Sequence, residues 1–298
     1  MKRVVSISIG SSERDHKVEI ELLGERLQIE RIGTNGDLDK AGQLYSELDG
    51  DVDAFGVGGT DLGLRVAGRY YPFPQIQRVV SGVRTTPIVD GGGLKHTLER
   101  EVMQCVEREI GHEIAPKTCL ATSAVDRYGM AESAMRAGYE VVLGDLMFSL
   151  GLPFPLRTLR SVDLLARLLM PILTRLPFEW LYPTGEKQSQ VTPKWIKYYH
   201  WASVIAGDFH YVKRHMPPDM AGKVVVTNTT TAADVEFLRE RGIAYLVTTT
   251  PRFEGRSFGT NVMEAVLVAL AGHGRPLTED EIKEMLVRLD YAPTFTKL

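Results

Sequence analysis

The stretch Thr122–Asp145, TSAVDRYGMAESAMRAGYEVVLGD, decides the fold class of this chain. Together with the apolar run KTCLATSA it reads as a strand, a short loop, a helix and a second strand that ends in an acid. This order is the layout of a nucleotide-binding βαβ unit. We therefore predict an α/β protein whose C-terminal part is a Rossmann-like, doubly wound, mostly parallel sheet.

The same alternation of strands and helices runs through the rest of the chain. Near the N-terminus, HKVEIELLG and ERLQIERIG alternate polar and apolar residues around Gly24, which predicts a hairpin. Further on, LKHTLEREVMQCVEREIG reads as one long amphipathic helix. We predict a smaller N-terminal α/β domain over residues 1–111. A Rossmann-like domain over residues 112–298 follows, with a helical and loop insertion at 146–200.

Composition excludes several classes of protein. A net charge of -3 over 298 residues argues against a nucleic-acid partner, which would require a basic excess. The most apolar run, VDLLARLLMPILTRLPFEWL, is broken by Asp163, Arg167 and Arg175, so no membrane span is predicted. Cys105 and Cys119 have no metal-like spacing and read as free thiols of a cytoplasmic protein.

The loop after the first strand of the βαβ unit departs from the usual phosphate-binding motif. Aligned on that motif, AVDRYG keeps the last glycine, Gly129, and carries Ala124 and Asp126 at the other two glycine positions. Asp126 beside a helix N-terminus would cap the helix or repel a phosphate, while Arg127 could compensate its charge. Asp145 stands where an acid binds a ribose 2′-hydroxyl, which would favour NAD over NADP. The loop is either a dinucleotide site or the bare fold.

Hydroxyl groups are concentrated where later strands should end, in VVVTNTTTAAD and YLVTTTPRFEGRSFGTN. In open parallel sheets, ligands bind outside the carboxyl ends of the strands. The alternative is that these threonines cap helices. The residues predicted to contact a dinucleotide are Ser123, Asp126, Arg127, Tyr128, Gly129, Asp145, Asn228, Thr229, Thr230, Thr249 and Thr250.

Two glycine-rich loops of the first domain, GVGGTDLG and DGGGLKH, also follow strands. Asp90 and Lys95 could form an acid/base pair there, or Lys95 could be an exposed helix residue. Lys187, in PTGEKQ, is a second candidate for catalysis. No metal site is predicted. The predicted substrate or anion contacts are Gly58, Gly59, Thr60, Asp61, Gly92, Arg252, Arg256, Ser257 and Asn261.

Over nearly its whole length, through segments such as SAVDRYGMAE, RLPFEWLYPTGEKQ and TNTTTAADV, the chain resembles a bacterial family labelled quinate 5-dehydrogenase. Shikimate and quinate dehydrogenases have a substrate domain followed by a nicotinamide domain, and they use a lysine–aspartate pair. The resemblance implies an NAD(P)-dependent oxidoreductase acting on a small hydroxylated carboxylic acid. In that reaction Lys95 would relay the hydroxyl proton and Asp90 would hold the lysine.

A second hypothesis involves no redox chemistry. The two domains could bind a phosphorylated or otherwise anionic metabolite in the cleft between them. Under either hypothesis the expected partners are a small anionic molecule and a second copy of the chain. Both require the carboxyl edges of the two sheets to face each other.

Overall fold

A computed structural model describes residues 1–176, 191–250, 252–253 and 256–298, with the backbone alone for 252–253 and 256–257. The first seven strands are β1 (Lys2–Ser8), β2 (His16–Leu22), β3 (Glu25–Gly33), β4 (Ala54–Gly58), β5 (Gly63–Val66), β6 (Arg69–Pro72) and β7 (Ile88–Val89). Five of them form one sheet in the order β2–β3–β1–β4–β7, and β5 with β6 forms a separate hairpin. The predicted hairpin around Gly24 is β2–β3, and every other pairing in the five-stranded sheet is parallel.

The second sheet has six strands. The remaining strands of the chain are β8 (Thr118–Ala121), β9 (Glu140–Leu143), β10 (Val204–Ala206), β11 (Val224–Thr227), β12 (Tyr245–Thr248), β13 (Arg252–Phe253), β14 (Arg256–Ser257) and β15 (Thr294–Lys297). The sheet order is β15–β12–β11–β10–β8–β9, parallel except for β15 at one edge. The sequence did not predict β15.

Helices cover the faces of both sheets. They are α1 (Leu38–Glu47), α2 (Pro74–Val79), α3 (Gly92–His96), α4 (Val102–Ile110), α5 (Tyr128–Arg136), α6 (Asp145–Leu150), α7 (Leu159–Leu173), α8 (Ile196–Trp201), α9 (Phe209–Arg214), α10 (Ala232–Glu240), α11 (Thr260–Ala271) and α12 (Glu279–Arg288). Within β8, Leu120 packs into one apolar cluster, while Cys119 and Ala121 pack into another on the opposite face. Strands buried on both faces explain the continuous apolar runs in the sequence. Both cysteines are free thiols, as predicted.

The two-lobed α/β architecture is confirmed, but a dinucleotide-binding Rossmann sheet is not what the chain forms. Numbered within its own lobe, the parallel part of the second sheet runs 2-1-3-4-5, and that of the first sheet runs 2-1-3-4. This is the flavodoxin-like order, whereas the dinucleotide fold has the order 3-2-1-4-5-6. The sequence predicted the alternation of elements because alternation is local. It did not predict the order of strands, which depends on long-range pairing.

The C-terminal helices return to the first lobe. Helix α11 packs on β1 and β4, where Asn261 Nδ2 donates to Ser6 Oγ at 2.8 Å. Gly56 permits this approach, since a Cβ there would lie 2.9 Å from the Asn261 carbonyl oxygen. Strand β15 then crosses back to the second sheet. The division at residue 111 stays a prediction, and we propose that α11 and α12 be grouped with the first lobe.

The predicted long helix after Asp90 is wrong, because the chain forms three short pieces there. Helix α3 ends at Thr97, whose φ of -113° and ψ of -78° depart from helical geometry, and a turn of 3₁₀ helix at Leu98–Arg100 precedes α4. The break places Glu99 in the interior, fully buried against Arg127. The amphipathic pattern could not indicate this, because a glutamate inside a helical pattern normally faces solvent.

Candidate functional site

The candidate site lies where the carboxyl edges of the two sheets meet. In each sheet the strand order reverses at one point, between β1 and β4 in the first lobe and between β8 and β10 in the second. Ligands of open α/β sheets bind at such switch points. The loops that leave β4, β8 and β10 carry Asp61, Asp126 with Arg127, and Asp208. The strand order therefore places charged side chains of both lobes at the positions where this architecture binds ligands.

A chain of ion pairs joins the two lobes at this edge. The Lys95 Nζ atom lies 2.8 Å from Asp61 Oδ1 and 2.7 Å from Asp126 Oδ1. Arg127 continues the chain, with Nε 3.3 Å from Asp126 Oδ2 and Nη2 2.9 Å from Asp208 Oδ2. Because Asp61 and Lys95 come from the first lobe and the others from the second, this network connects the lobes by charge as well as by packing.

The backbone holds Lys95 in place from two directions. Gly91 has a φ of +93°, which lets the chain turn from β7 into α3. Helix α5 then approaches α3 closely, because a Cβ at Gly129 would lie 2.4 Å from the Lys95 carbonyl oxygen. The last glycine of the AVDRYG loop thus serves close packing, but the element that it packs against is α3.

Arg127 is the centre of the second-lobe half of the network. It is 4% exposed, forms an ion pair with the buried Glu99, and reaches Asp208 at the end of β10. Asn228 Nδ2 donates to the same Asp208 oxygen at 3.0 Å. Asn228 in turn sits beside Thr250, whose backbone N–H and hydroxyl both donate to the Asn228 carbonyl. The predicted hydroxyl-rich ends of β11 and β12 therefore lie side by side.

Burial and mutual charge set the protonation of this network. Burial raises the pKa of Asp61 to about 7, against the lowering effect of Lys95. Burial alone would raise the pKa of Asp126, but Lys95 and Arg127 lower it to about 2. For Lys95, burial is outweighed by Asp126 and Asp61, so its pKa lies well above the ordinary value and the amine stays protonated. The two acids whose pKa is lowered, Asp126 and Asp208, carry charges that balance those of Lys95 and Arg127.

The predicted acid/base pair of Lys95 with Asp90 is wrong, because the two side chains do not pair with each other. Asp90 accepts hydrogen bonds from the backbone N–H groups of Leu62, at 2.7 Å, and Gly92, at 2.9 Å. Lys95 pairs instead with Asp61 and Asp126. A lysine that is held protonated by two carboxylates is a poor proton acceptor. The geometry therefore gives no support to a proton relay through Lys95.

The protein's own carboxylates occupy backbone N–H groups that an anion would need. Asp145 Oδ1 accepts from Val125 N–H at 2.7 Å, inside the loop where a pyrophosphate was predicted. Glu264 accepts from Gly93 N–H at 3.1 Å, and Asp208 caps α9 through His210 N–H. Asp145 is 4% exposed, and burial raises its pKa to about 6. The predicted nicotinamide cofactor is therefore wrong, since Asp145 cannot reach a ribose and Asp126 is engaged with Lys95.

The remaining predicted residues fall into three groups. Ser123, Thr60, Thr230 and Thr249 are buried near the strand ends. Gly58 is the last residue of β4, and Gly59, with a φ of +74°, begins the turn after it. Tyr128 starts α5, and Thr229 follows Asn228 in the sequence. Asn261 belongs to the packing of α11. Lys187 and the side chains of Arg252, Arg256 and Ser257 lie outside the described residues.

Two members of the network were not predicted as site residues. Asp208 carried a usable signal, an acid directly after an apolar strand and before a helix. Glu99 carried none, since its burial depends on the break between α3 and α4.

In the described part of the chain, no group of three or more metal-ligating side chains could hold a metal ion. Among the helices that the structure describes, none is long and apolar enough to cross a bilayer. The cytoplasmic location stays a prediction.

The sequence of this chain matches two family models, while its fold has only distant similarity to solved structures. Residues 93–298 match the model described as "Domain of unknown function (DUF8754)", and residues 3–90 match "Domain of unknown function (DUF8753)". No curated protein matches.

Several solved structures of solute-binding proteins align over almost the whole chain. One is an ABC transporter solute-binding protein from Burkholderia multivorans, at 9% identity, 99% coverage of both chains and a TM-score of 0.39. Another is a glucose-galactose binding protein from Geobacillus stearothermophilus, at 8% identity, with 99% of this chain and 97% of that chain covered and a TM-score of 0.38. A third is a periplasmic ribose ABC transporter from Conexibacter woesei, at 12% identity, 97% coverage of both chains and a TM-score of 0.38. At these scores no ligand is carried over to this chain.

The resemblance to quinate 5-dehydrogenases is wrong, and so is the oxidoreductase activity that it implied. The models that match both parts of the chain describe no dehydrogenase, and the loop that should hold the dinucleotide is filled by Asp145 and Asp126. By its match over residues 93–298, more than half of its length, the chain belongs to the family described as domain of unknown function DUF8754.

Proposed function

We propose that this protein binds, without redox chemistry, a small uncharged molecule rich in hydroxyl groups where the carboxyl edges of its two sheets meet. The observation that carries the proposal is the network from Asp61 through Lys95, Asp126 and Arg127 to Asp208. Costly buried charges at the switch points of two sheets are typical of functional sites.

The network offers contact groups at its solvent side. The side chains of Asp126 and Asp208 are 20% and 19% exposed, so each keeps carboxylate surface within reach of a ligand. Arg127 and Asn228 are buried behind them and hold the Asp208 carboxylate in place through Nη2 and Nδ2. Each carboxylate presents two oxygens side by side, which suits a pair of neighbouring hydroxyl donors.

An aromatic ring borders the same region. Tyr70 is 48% exposed, and burial together with the charges of Asp90 and Asp61 raises its pKa to about 12. The ring lies against Gly63, where a Cβ would be 2.6 Å from Tyr70 Cζ, directly after Leu62, whose N–H donates to Asp90. A half-exposed ring can cover the apolar face of a ring-shaped polyol.

The charge balance favours an uncharged ligand over the anionic one that the sequence predicted. Lys95 and Arg127 are each already paired with carboxylates, so neither base of the network is free to bind an anion. A phosphate at this edge would meet carboxylates, and backbone N–H groups that could have bound it are already occupied. Hydroxyl groups can instead donate to the carboxylates without adding charge.

The test is a calorimetric and thermal-shift panel on the full chain. Neutral pentoses, hexoses and cyclitols form one arm, and NAD, NADP, inorganic phosphate and quinate form the other. We expect heat and stabilisation from at least one neutral compound and from none of the second arm. Stabilisation by a dinucleotide or phosphate, with no response to any neutral polyol, would overturn the proposal.

Two variants locate the site. Asp208→Asn removes the carboxylate that both Arg127 and Asn228 contact, and it should abolish the response. Glu107→Gln is the matched control, because Glu107 forms an ion pair with Lys117, which directly precedes β8 at the opposite, amino edge of the sheet. It should bind as the wild type does. Equal loss in both variants would mean that the ligand does not contact this edge.

A further inference from the structure

A groove of about 770 Å³ is bounded by helix α12, helix α5 and the turn of 3₁₀ helix at Leu98–Arg100. Its volume is that of pockets that hold small molecules. Leu98 and Arg100 line it, while Glu99 between them is fully buried and pairs with Arg127. Within the described ranges, the walls include none of the ion-paired residues that join the two lobes, so the groove is separate from the site proposed above.

Apolar side chains form the base and part of the rim of the groove. Leu98 and Leu286 are 9% and 8% exposed, whereas Val287 is 80% exposed. The Tyr291 hydroxyl donates to the Thr249 carbonyl oxygen at 3.1 Å, which leaves the ring of Tyr291 to form the wall. An apolar ligand that covered these side chains would remove their surface from water, which is favourable.

Arg100 lines the groove with a guanidinium group that is fixed at two points. Its stem packs on α5, where a Cβ at Gly129 would lie 2.8 Å from Arg100 Cγ. Its Nε atom donates to Glu132 Oε2 at 2.9 Å. Among the residues that the structure describes, neither Nη group of Arg100 has a hydrogen-bond partner, and the side chain is 37% exposed. Such a pair of N–H donors matches one carboxylate in a bidentate contact.

His96 supplies a second polar group in the wall of the groove. It is half-buried, yet in the described part of the chain neither of its ring nitrogens has a hydrogen-bond partner. Burial, together with the positive charges of Arg65, Arg100 and Lys95, lowers the pKa of His96 to about 4. The ring is therefore neutral at pH 7, with one N–H donor and one acceptor nitrogen. The positive potential that keeps it neutral favours a ligand that carries negative charge.

The other charged side chains limit that ligand to a single negative charge. Three bases and three acids line the groove, namely Arg100, Arg136, Lys283, Glu101, Glu132 and Asp290, so their formal charges cancel. Arg136 is already paired with Glu101 at 3.2 Å, which leaves Arg100 as the cation with unused N–H donors. A phosphate dianion would meet the acids of the groove, whereas one carboxylate matches one guanidinium group.

We propose that this groove binds a small organic acid that carries one carboxylate on an apolar ring. The carboxylate pairs with Arg100, and His96 makes one further hydrogen bond to it. The ring covers Leu98 and Leu286 and packs in an offset arrangement on the ring of Tyr291. This ligand differs in charge and polarity from the neutral polyol of the proposed function, and the inference does not rest on that function.

The experiment is isothermal titration calorimetry with thermal-shift measurements on the full chain, using benzoate and 2-naphthoate as probes. Both should bind, and the naphthoate should bind more tightly because its ring covers more apolar surface. Benzamide has the ring without the charge, quinate has the carboxylate on a hydroxylated ring, and inorganic phosphate has the charge alone, so none of the three should respond. A protein that responds to neither aromatic carboxylate at millimolar concentration, or that binds phosphate as tightly as the naphthoate, overturns the proposal.

Two matched arginine variants locate the binding site. Arg100→Gln removes the guanidinium and should weaken naphthoate binding by about 10-fold or more. Arg239→Gln is the control, because Arg239 is 51% exposed and paired with Glu236 on α10, on the opposite face of the second sheet from α5. It should bind as the wild type does. Equal affinity in the wild type and Arg100→Gln, or equal loss in the two variants, overturns the assignment.

A pair of rim variants keeps the proposal testable if Arg100→Gln fails to fold. Val287 is 80% exposed, so the fold should tolerate a charge there. Val287→Lys should tighten naphthoate binding and Val287→Glu should weaken it, by about two- to fivefold each. Far-UV circular dichroism checks that both variants fold. Equal affinities in these two variants would mean that the acid binds elsewhere, which also overturns the proposal.

Discussion

Replacing Asp61 by asparagine should stabilise this protein at neutral and alkaline pH. Asp61 is 8% exposed, and burial raises its pKa from 3.8 to about 7 in spite of the Lys95 ammonium at 2.8 Å. The folded protein therefore holds a proton on Asp61 over a pH range in which the unfolded chain has lost it. Stability falls as pH rises through that range, from about 4 to about 7.

The size of the stability change follows from the pKa shift of Asp61. About three pKa units at 1.36 kcal/mol each give a cost of about 4 kcal/mol above pH 7, as an upper limit. Asparagine resembles the protonated acid in shape and keeps an oxygen that accepts from Lys95, so Asp61→Asn removes this cost. We expect a gain of about 2–4 kcal/mol in unfolding free energy at pH 8 and less than about 0.5 kcal/mol at pH 4.

The assay is urea unfolding, followed by far-UV circular dichroism at pH 4, 6 and 8. Glu264, whose pKa burial raises to about 8, contributes a slope of the same sign. It is present in both proteins and cancels in the difference. If the variant is less stable than the wild type at pH 8, or if the difference does not depend on pH, then Asp61 is ionised without penalty and the reasoning fails. A stabilised variant that no longer binds the ligand would show that Asp61 is kept for function at a cost in stability.

Three further predictions address other contacts. Asp49→Asn should destabilise the protein, the opposite of Asp61→Asn, because backbone N–H groups lower the pKa of Asp49 to about 2. The ionised Asp49 stabilises the fold above pH 4, and this effect is lost towards pH 2, so the urea midpoint of the variant should fall below that of the wild type only above pH 4. Gly129→Ala places a Cβ 2.4 Å from the Lys95 carbonyl oxygen and should cost about 1–3 kcal/mol in unfolding free energy, a value near zero being the contrary result. Asp126→Gly restores the glycine of the dinucleotide motif; it should lower stability by about 2–4 kcal/mol at pH 7 and create no calorimetric signal with NAD, and an NAD signal would reopen the cofactor hypothesis.

Local signals predicted most of the secondary structure correctly. The alternating runs of β2 and β3, the apolar runs of β8, β11 and β12, and the capped helices α1 and α12 lie where the pattern places them. Each depends on a period of two or 3.6 residues, or on one capping side chain, within a short stretch. The break at Thr97 was missed because tertiary contacts decide it, whereas the strand predicted before DGGGLKH forms as β7.

The candidate site was predicted in part. The sequence placed Lys95, Asp126, Arg127 and Asn228 at strand ends, and the structure brings them to one edge. It assigned Asp90 as the partner of Lys95, although Asp61 is the acid that reaches it, 34 residues away along the chain. Asp61 follows the glycines of GVGGTD and Asp90 precedes those of DGGG, so each acid adjoins a glycine-rich turn and the pattern does not rank them. The choice depends on the turn geometry that commits Asp90 to the N–H groups of Leu62 and Gly92.

The sequence by itself determined that this is a two-lobed α/β protein with ligand-type side chains after its strands. Hydrophobic periodicity and turn residues act over short distances and can be recognised directly. Only the tertiary structure decided which strand neighbours which, which acids occupy the helix N-termini, and which face of α7 stays in solvent. Those outcomes depend on pairings between residues far apart in the chain, where several acids and several apolar faces compete and only packing selects among them.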